Sequence, residues 1–356
     1  MLNTKTPIIF DGHNDFLLRF FRKTLTLDAA MAGTDKGQMD LPRAKAGGFG
    51  GGLFALYVPS DLGSGGRGSY EDKMDQPTYD IPLPPAIAWN DAIKVVLSEV
   101  ATFKKLEAAG FLKGCTSTKD ILAAFERDVI AAVLHMEGAE AIDEEFETLE
   151  VLYAAGLRSI GPVWSRPTKF GHGVPFRYPS TGDTGPGLTE LGKKLVSECN
   201  RLGVMLDVSH LNEKGFDDLA AITDAPIVAT HSNAYAICPH ARNLTDRQLG
   251  IIAESDGMVG LNFAVVFLRP DGQQNVDTNV ELMLRHLDHL MEKLGEDRVG
   301  LGSDFDGADI PQDIKDLSGL TTLREAMRQH GYGEALMAKL CHENWLRVLK
   351  KTWKED

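Results

Sequence analysis

Three histidines and three acidic residues stand where the chain could hold divalent cations. His13 and Asp15 fall in Asp11-Gly-His-Asn-Asp15, and Glu137 falls in His135-Met-Glu-Gly138. His210 closes Asp207-Val-Ser-His210, His231 sits in Ala229-Thr-His-Ser232, and Asp304 sits in Gly302-Ser-Asp-Phe-Asp-Gly307. Imidazole nitrogens mixed with carboxylate oxygens suit zinc, and also manganese, iron or nickel. Six such donors are enough for two ions, with Glu137 placed to bridge them through its two oxygens. Water shared by two divalent ions becomes a nucleophile at neutral pH, because the metals depress its pKa. The chemistry expected is therefore hydrolysis. Taken singly, each residue has a plainer explanation: a hydrogen-bonded histidine at a strand end, or an Asp-Gly turn. Their common position relative to the strands is what favours the metal reading.

That position follows from the hydrophobic pattern. Eight short, nearly all-apolar runs read as strands: Ile8–Asp15, Gly50–Val58, Val129–Glu137, Arg158–Trp164, Val204–His210, Ile227–His231, Met258–Phe263 and Arg298–Asp304. Strands covered on both faces look like this. Amphipathic helical stretches lie between them: Trp89–Ala109, Glu144–Ala155, Thr189–Leu202, Phe216–Ile222, Val276–Leu294 and Glu334–Lys351. Thr245-Asp-Arg-Gln248 reads as a capping box that opens one more helix. Strand then helix, eight times, predicts a (β/α)8 TIM barrel of the metal-dependent hydrolase type, a single catalytic domain over residues 1–356. The six donors fall at C-terminal strand ends, where barrel active sites lie. The segment from the first strand to Gly48 and the segment Pro59–Pro85 read as long loops over the mouth.

Composition narrows the function. The formal net charge is −14, from 37 basic and 51 acidic residues. Such a surface argues against nucleic acid, which needs a basic face. The four cysteines, Cys115, Cys199, Cys238 and Cys341, show no C-x-x-C pairing and read as reduced, mostly buried thiols. No run approaches the about 20 apolar residues of a membrane span, and Met1–Pro7 lacks the apolar stretch of a signal peptide. A cytoplasmic enzyme is expected. Gly63-Ser-Gly-Gly-Arg-Gly68 fits G-x-G-x-x-G but lies in a loop region, and no G-x-S-x-G elbow occurs.

On these motifs the chain resembles the membrane (renal) dipeptidase family of the amidohydrolase superfamily, in its bacterial form. The resemblance runs from Asp11-Gly-His-Asn-Asp15 to Gly302-Ser-Asp-Phe-Asp-Gly307 and is most specific at Glu137-Gly-Ala139, Leu149, Tyr153 and Gly156-Leu-Arg158. It implies that His13, Asp15 and Asp304 bind one ion, that His210 and His231 bind the other, and that Glu137 bridges both. Arg242, eleven residues after His231, matches the family arginine that binds the substrate carboxylate. Two departures stand out. Trp164, in Gly161-Pro-Val-Trp-Ser165, replaces a substrate-binding histidine of the mammalian members, and Leu53 stands where glutamine is common. His172 is a candidate replacement donor, and Tyr57 joins Trp164 and His172 as an expected substrate contact.

The resemblance implies a dipeptide substrate, a D-residue accepted at its C-terminal position, and a homodimer. Asp304 would carry the proton from water to the leaving amine, and Arg242 would grip the carboxylate with a bidentate pair. An amidohydrolase acting on an N-acyl amino acid would share every metal donor. A non-catalytic metal-binding barrel is the second alternative, and no donor is missing to suggest it.

Overall fold

Among residues 6–60 and 73–355, which the computed structural model describes, the apolar runs pair as a ring. In chain order the strands are β1 (Ile9–Asn14), β2 (Phe49–Tyr57), β3 (Tyr79–Ile81), β4 (Leu112–Gly114), β5 (Ile130–Glu137), β6 (Leu157–Gly161), β7 (Phe176–Tyr178), β8 (Met205–Leu206), β9 (Val228–Ala229), β10 (Met258–Leu261) and β11 (Val299–Leu301). The hydrogen-bonded order is β8-β6-β5-β2-β1-β11-β10-β9. A parallel bridge between Asp207 and Val228 joins its two ends. The result is an eight-stranded parallel barrel wrapped by helices, the (β/α)8 architecture the sequence predicts. Register brings Tyr57, Glu137 and Gly161 to one level at the mouth.

The helices start where local chemistry allows. Thr245 and Gln248 form the expected capping box before Asp246–Glu254. Ser117 and Asp120 form another, opening the helix Thr118–Glu126. That helix and β4, which pairs with the start of β5, were not anticipated. Trp345, from the C-terminal helix Asn344–Thr352, fills the barrel from below and donates from Nε1 to the Leu301 carbonyl at 3.0 Å. Gly260 and Gly300 make room for it, since a Cβ at either would lie 3.0 Å or less from its ring.

Three expectations change. The long segment after β1 is not a loop: it folds as Phe16–Phe21, Leu27–Ala32 and Leu41–Gly47, with Thr26 and Asp40 capping the latter two. Within the segment after β2, β3 pairs antiparallel with β7 to form a small second sheet. Gly63–Gly68 lies outside the described residues. Finally, β8 stops four residues before His210 and β9 two residues before His231. Asp207 Oδ1 accepts from the backbone nitrogens of Ser209 (3.0 Å) and Thr230 (2.9 Å), so side-chain bonds replace the ladder there. No helix among the described residues is long and apolar enough to cross a membrane. All four cysteines are buried, as expected.

Candidate metal centre and active-site cleft

The strand ends bring the six predicted donors into one cluster, with Asp304 half-buried and the other five buried. His13 lies in β1 and Asp15 follows it, with His13 Nε2 at 3.4 Å from Asp15 Oδ2. Glu137 ends β5, and its Oε1 lies 2.9 Å from His210 Nε2, 3.4 Å from His231 Nε2 and 3.7 Å from His13 Nε2. The Nε2 atoms of His210 and His231 are 3.1 Å apart. Donor atoms of His13, Glu137 and His231 converge within 4.8 Å of one another, and so do those of His13, Asp15 and Asp304.

Asp304 adopts a left-handed backbone, φ 63°, held by a bond from its nitrogen to the His13 carbonyl at 3.0 Å. Asn262 Nδ2 donates to its Oδ2 at 3.0 Å. A Cβ at Gly307 would lie 2.0 Å from Asp15 Oδ2 and 2.5 Å from Asp304 Oδ1, so only glycine lets both carboxylates stand there.

Without a cation this arrangement is electrostatically poor. Burial pushes Glu137 well above the carboxylate range; His13 opposes the shift, while Asp15 and Asp304 add to it. Asp304 is also raised, chiefly by burial. Burial would lower His13, but Glu137, Asp15 and Asp304 reverse the sign and raise it to about 10. His210 and His231 fall well below the ordinary imidazole range through burial, with Arg242 and His13 beside them. Both ring nitrogens of His13 are buried without a hydrogen-bond partner. Orphaned buried polar atoms are costly. The donor set therefore fits divalent cations: they would satisfy His13 and neutralise the facing carboxylates.

Hydroxyls orient the other two imidazoles. Ser165 Oγ lies 2.9 Å from His210 Nδ1, and Thr230 Oγ1 lies 2.7 Å from His231 Nδ1. Such outer partners fix a metal-binding ring in place. Sequence reasoning missed both, although each hydroxyl stands inside a motif it singled out.

The cluster floors a cleft of about 830 Å³. Its walls include the aromatic residues Tyr57, Trp164, Phe176 and Phe267 and the charged residues Arg22, Asp306 and Asp309. Tyr57 and Phe176 pack edge-on against Trp164, with centroids at 5.3 and 5.7 Å, and Trp164 lies against the His210 ring at 5.8 Å. Tyr57 and Trp164 thus both line the cleft.

His172 does not line the cleft; its carbonyl accepts from Asn212 N at 3.2 Å. Arg242 is placed differently from the expected bidentate anchor. It is buried behind the two histidines, donating from Nη1 to the Ser209 carbonyl and to Ser232 Oγ (3.3 Å), and from Nη2 to the His231 carbonyl at 3.1 Å. Only its Nε is left buried without a partner. His135 is buried against Ser159 Oγ at 2.8 Å. His286 is a core histidine between Ala234 N (3.2 Å) and the Leu268 carbonyl (3.0 Å). Asp306 turns from the donors to meet Arg19 and Gln38.

Arg166 ties the mouth together. It donates to Glu140 Oε1 at 2.7 and 2.9 Å, the Val58 carbonyl at 2.8 Å and Ser60 Oγ at 2.8 Å. The pair is fully enclosed, so R166A leaves a buried carboxylate uncompensated. Such losses cost about 3–5 kcal/mol. Chemical denaturation should show that drop, and a variant within about 0.5 kcal/mol of the parent would refute the brace.

The membrane dipeptidase model, peptidase family M19, matches residues 2–355. A metallo peptidase from Rhodobacter sphaeroides, solved with a phosphinate mimic of the dipeptide L-Ala-D-Ala, is 53% identical with a TM-score of 0.94, covering 98% of this chain and 100% of that one. Dipeptidase AC, a metallo peptidase of family M19, is also 53% identical with a TM-score of 0.94, covering 98% of this chain and 99% of its own. An uncharacterized protein of the pqqA 5' region of Klebsiella pneumoniae is 47% identical over 267 residues, 74% of this chain and 98% of that protein. With a family match over nearly its whole length and relatives of this similarity, the chain belongs to the membrane dipeptidase family, peptidase family M19.

Proposed function

We propose that this protein hydrolyses dipeptides, including those with a D-residue at the C-terminal position, using two divalent ions with zinc the first expectation. The observation that carries the reading is the convergence of three imidazoles on one oxygen of Glu137 at the floor of a cleft, with both nitrogens of His13 unpartnered. The phosphinate dipeptide mimic bound by the Rhodobacter sphaeroides relative supports the substrate class and its stereochemistry.

His13, Asp15 and Asp304 would hold one ion, His210 and His231 the other, and Glu137 both. Bound there, the ions supply an activated water and polarise the scissile carbonyl. Asp304 does the proton work. Its Oδ2 is occupied by Asn262, while Oδ1 lies beside Gly307. Oδ1 would take the proton of the attacking water and deliver it to the departing amine. The aromatic wall of Tyr57, Trp164 and Phe176 would exclude water and receive apolar side chains.

Arg242 would act on the substrate carboxylate through its buried charge and its Nε. A hydrogen bond to a charged group contributes about 1.5–3 kcal/mol, roughly tenfold or more in rate. A two-by-two comparison tests this: parent and R242A, each with a dipeptide and its C-terminal amide. The variant should lose at least about tenfold of the acid-over-amide preference. Additive effects would instead make Arg242 a brace for the carbonyls of Ser209 and His231.

The activity itself is tested with a dipeptide library on metal-loaded protein, both stereoisomers at each position, alongside N-acetyl amino acids. Cleavage of dipeptides, D-residues tolerated at the second position, is expected. Faster turnover of N-acyl amino acids would overturn the dipeptidase assignment.

A further inference from the structure

Asp207 stands behind the metal donors and has no part in the chemistry above. It is buried, and its carboxylate is an acceptor at four contacts. Oδ1 accepts from Ser209 N (3.0 Å), Ser209 Oγ (2.5 Å) and Thr230 N (2.9 Å). Oδ2 accepts from Thr230 Oγ1 at 2.6 Å. These hydroxyl distances are those of charge-assisted bonds.

A proton count follows. A threonine hydroxyl has one hydrogen. Thr230 spends it on Asp207, so towards His231 Nδ1, 2.7 Å away, it offers only lone pairs. The hydrogen in that contact must therefore be on Nδ1. His231 Nε2 is then bare, and it is the atom that faces Glu137 Oε1 at 3.4 Å. Ser209 reinforces the arrangement: its Oγ donates to Asp207 and accepts from His231 N at 3.1 Å. His210 has no equivalent chain. Among the described residues its Nδ1 meets Ser165 Oγ alone, and no acceptor beyond that serine dictates which partner donates.

We propose that Asp207 and Thr230 are positioning residues that lock His231 in the Nδ1–H form, and so set the affinity of the ion it shares with His210. The inference rests on the metal reading above. Second partners of ligating histidines typically govern metal affinity by about 10–100-fold.

The relay has a polarity that isosteric substitutions can reverse. In D207N the amide oxygen must stay with the three donors at the Oδ1 position. The amide nitrogen then faces Thr230 Oγ1 as a donor. Thr230 turns its hydrogen to His231 Nδ1, and the ring proton moves to Nε2, where it points at the metal position. T230V removes the relay while keeping the branched shape, and T230S keeps the hydroxyl.

The test uses full-length protein labelled with ¹⁵N histidine, read in the metal-free state by long-range ¹H–¹⁵N spectra and then by zinc titration against a competing chelator. The parent and T230S should show His231 as Nδ1–H; D207N should show Nε2–H. T230V and D207N should bind one of the two ions about 10–100-fold more weakly, with the other near its parental affinity. T230S should stay within about threefold of the parent. A parent ring in the Nε2–H form, or parental affinity in T230V for both ions, overturns the proposal. Equal loss of both ions in T230V would reduce Thr230 to a structural support and overturn it too. A parent that binds no zinc would instead refute the metal reading, while the tautomer spectra would still decide the relay.

Discussion

Replacing Glu137 with glutamine is expected to remove both ions and to reduce dipeptide turnover on the order of 10³-fold or more. Among the described residues, Glu137 is the carboxylate that reaches all three imidazoles of the cluster. Glutamine fills the same space but replaces the anionic carboxylate with a neutral amide, which neither neutralises nor bridges cations. Polarisation by a bound metal contributes several kcal/mol, and each 1.36 kcal/mol is tenfold in rate. The fold should not suffer: burial makes the carboxyl expensive in the metal-free protein, so the metal-free variant should unfold at a denaturant concentration equal to or above the parent's. Elemental analysis beside the unfolding curve separates the two effects. Full occupancy with normal turnover in E137Q would end the bridging role.

The second large effect is expected at Asp304. D304N should lower kcat by about 10²–10⁴-fold, the usual contribution of a general acid–base group. The amide oxygen of the variant can still accept from Asn262, so the backbone turn at φ 63° keeps its side-chain support. What disappears is the proton carrier beside Gly307. Asp304 is also a candidate donor to the ion near His13 and Asp15, so metal content must be measured with the rate. A variant that keeps its ions and loses kcat identifies the proton role; one that keeps both refutes it.

The barrel was readable because buried parallel strands are apolar runs, and the runs ending at Asp15 and Glu137 mark β1 and β5 nearly to the residue. Where side chains replaced the ladder, the reading overran. His210 and His231 lie beyond two-residue strands because Asp207 gathers the backbone there, a contact made 23 residues away in sequence at Thr230. The same distance hid Ser165, which is 45 residues from His210. The Ser117–Asp120 cap was local and visible in principle, but β4 and its helix interrupt the simple strand–helix count. Arg242 shows a different limit. Its spacing from His231 put it near the site, but where a guanidinium spends its donors depends on carbonyls that only the folded chain brings to it.

The central claim is that two ions held by the six strand-end donors carry out dipeptide hydrolysis, and a stoichiometric titration tests it most directly. Protein stripped with a chelator is supplied with zinc in fractional equivalents, and hydrolysis of L-Ala-D-Ala is followed at each step. Activity should be absent in the stripped protein, rise with added ion and level off at two equivalents per chain. Hydrolysis by the stripped protein, or a plateau at one equivalent, would contradict the account.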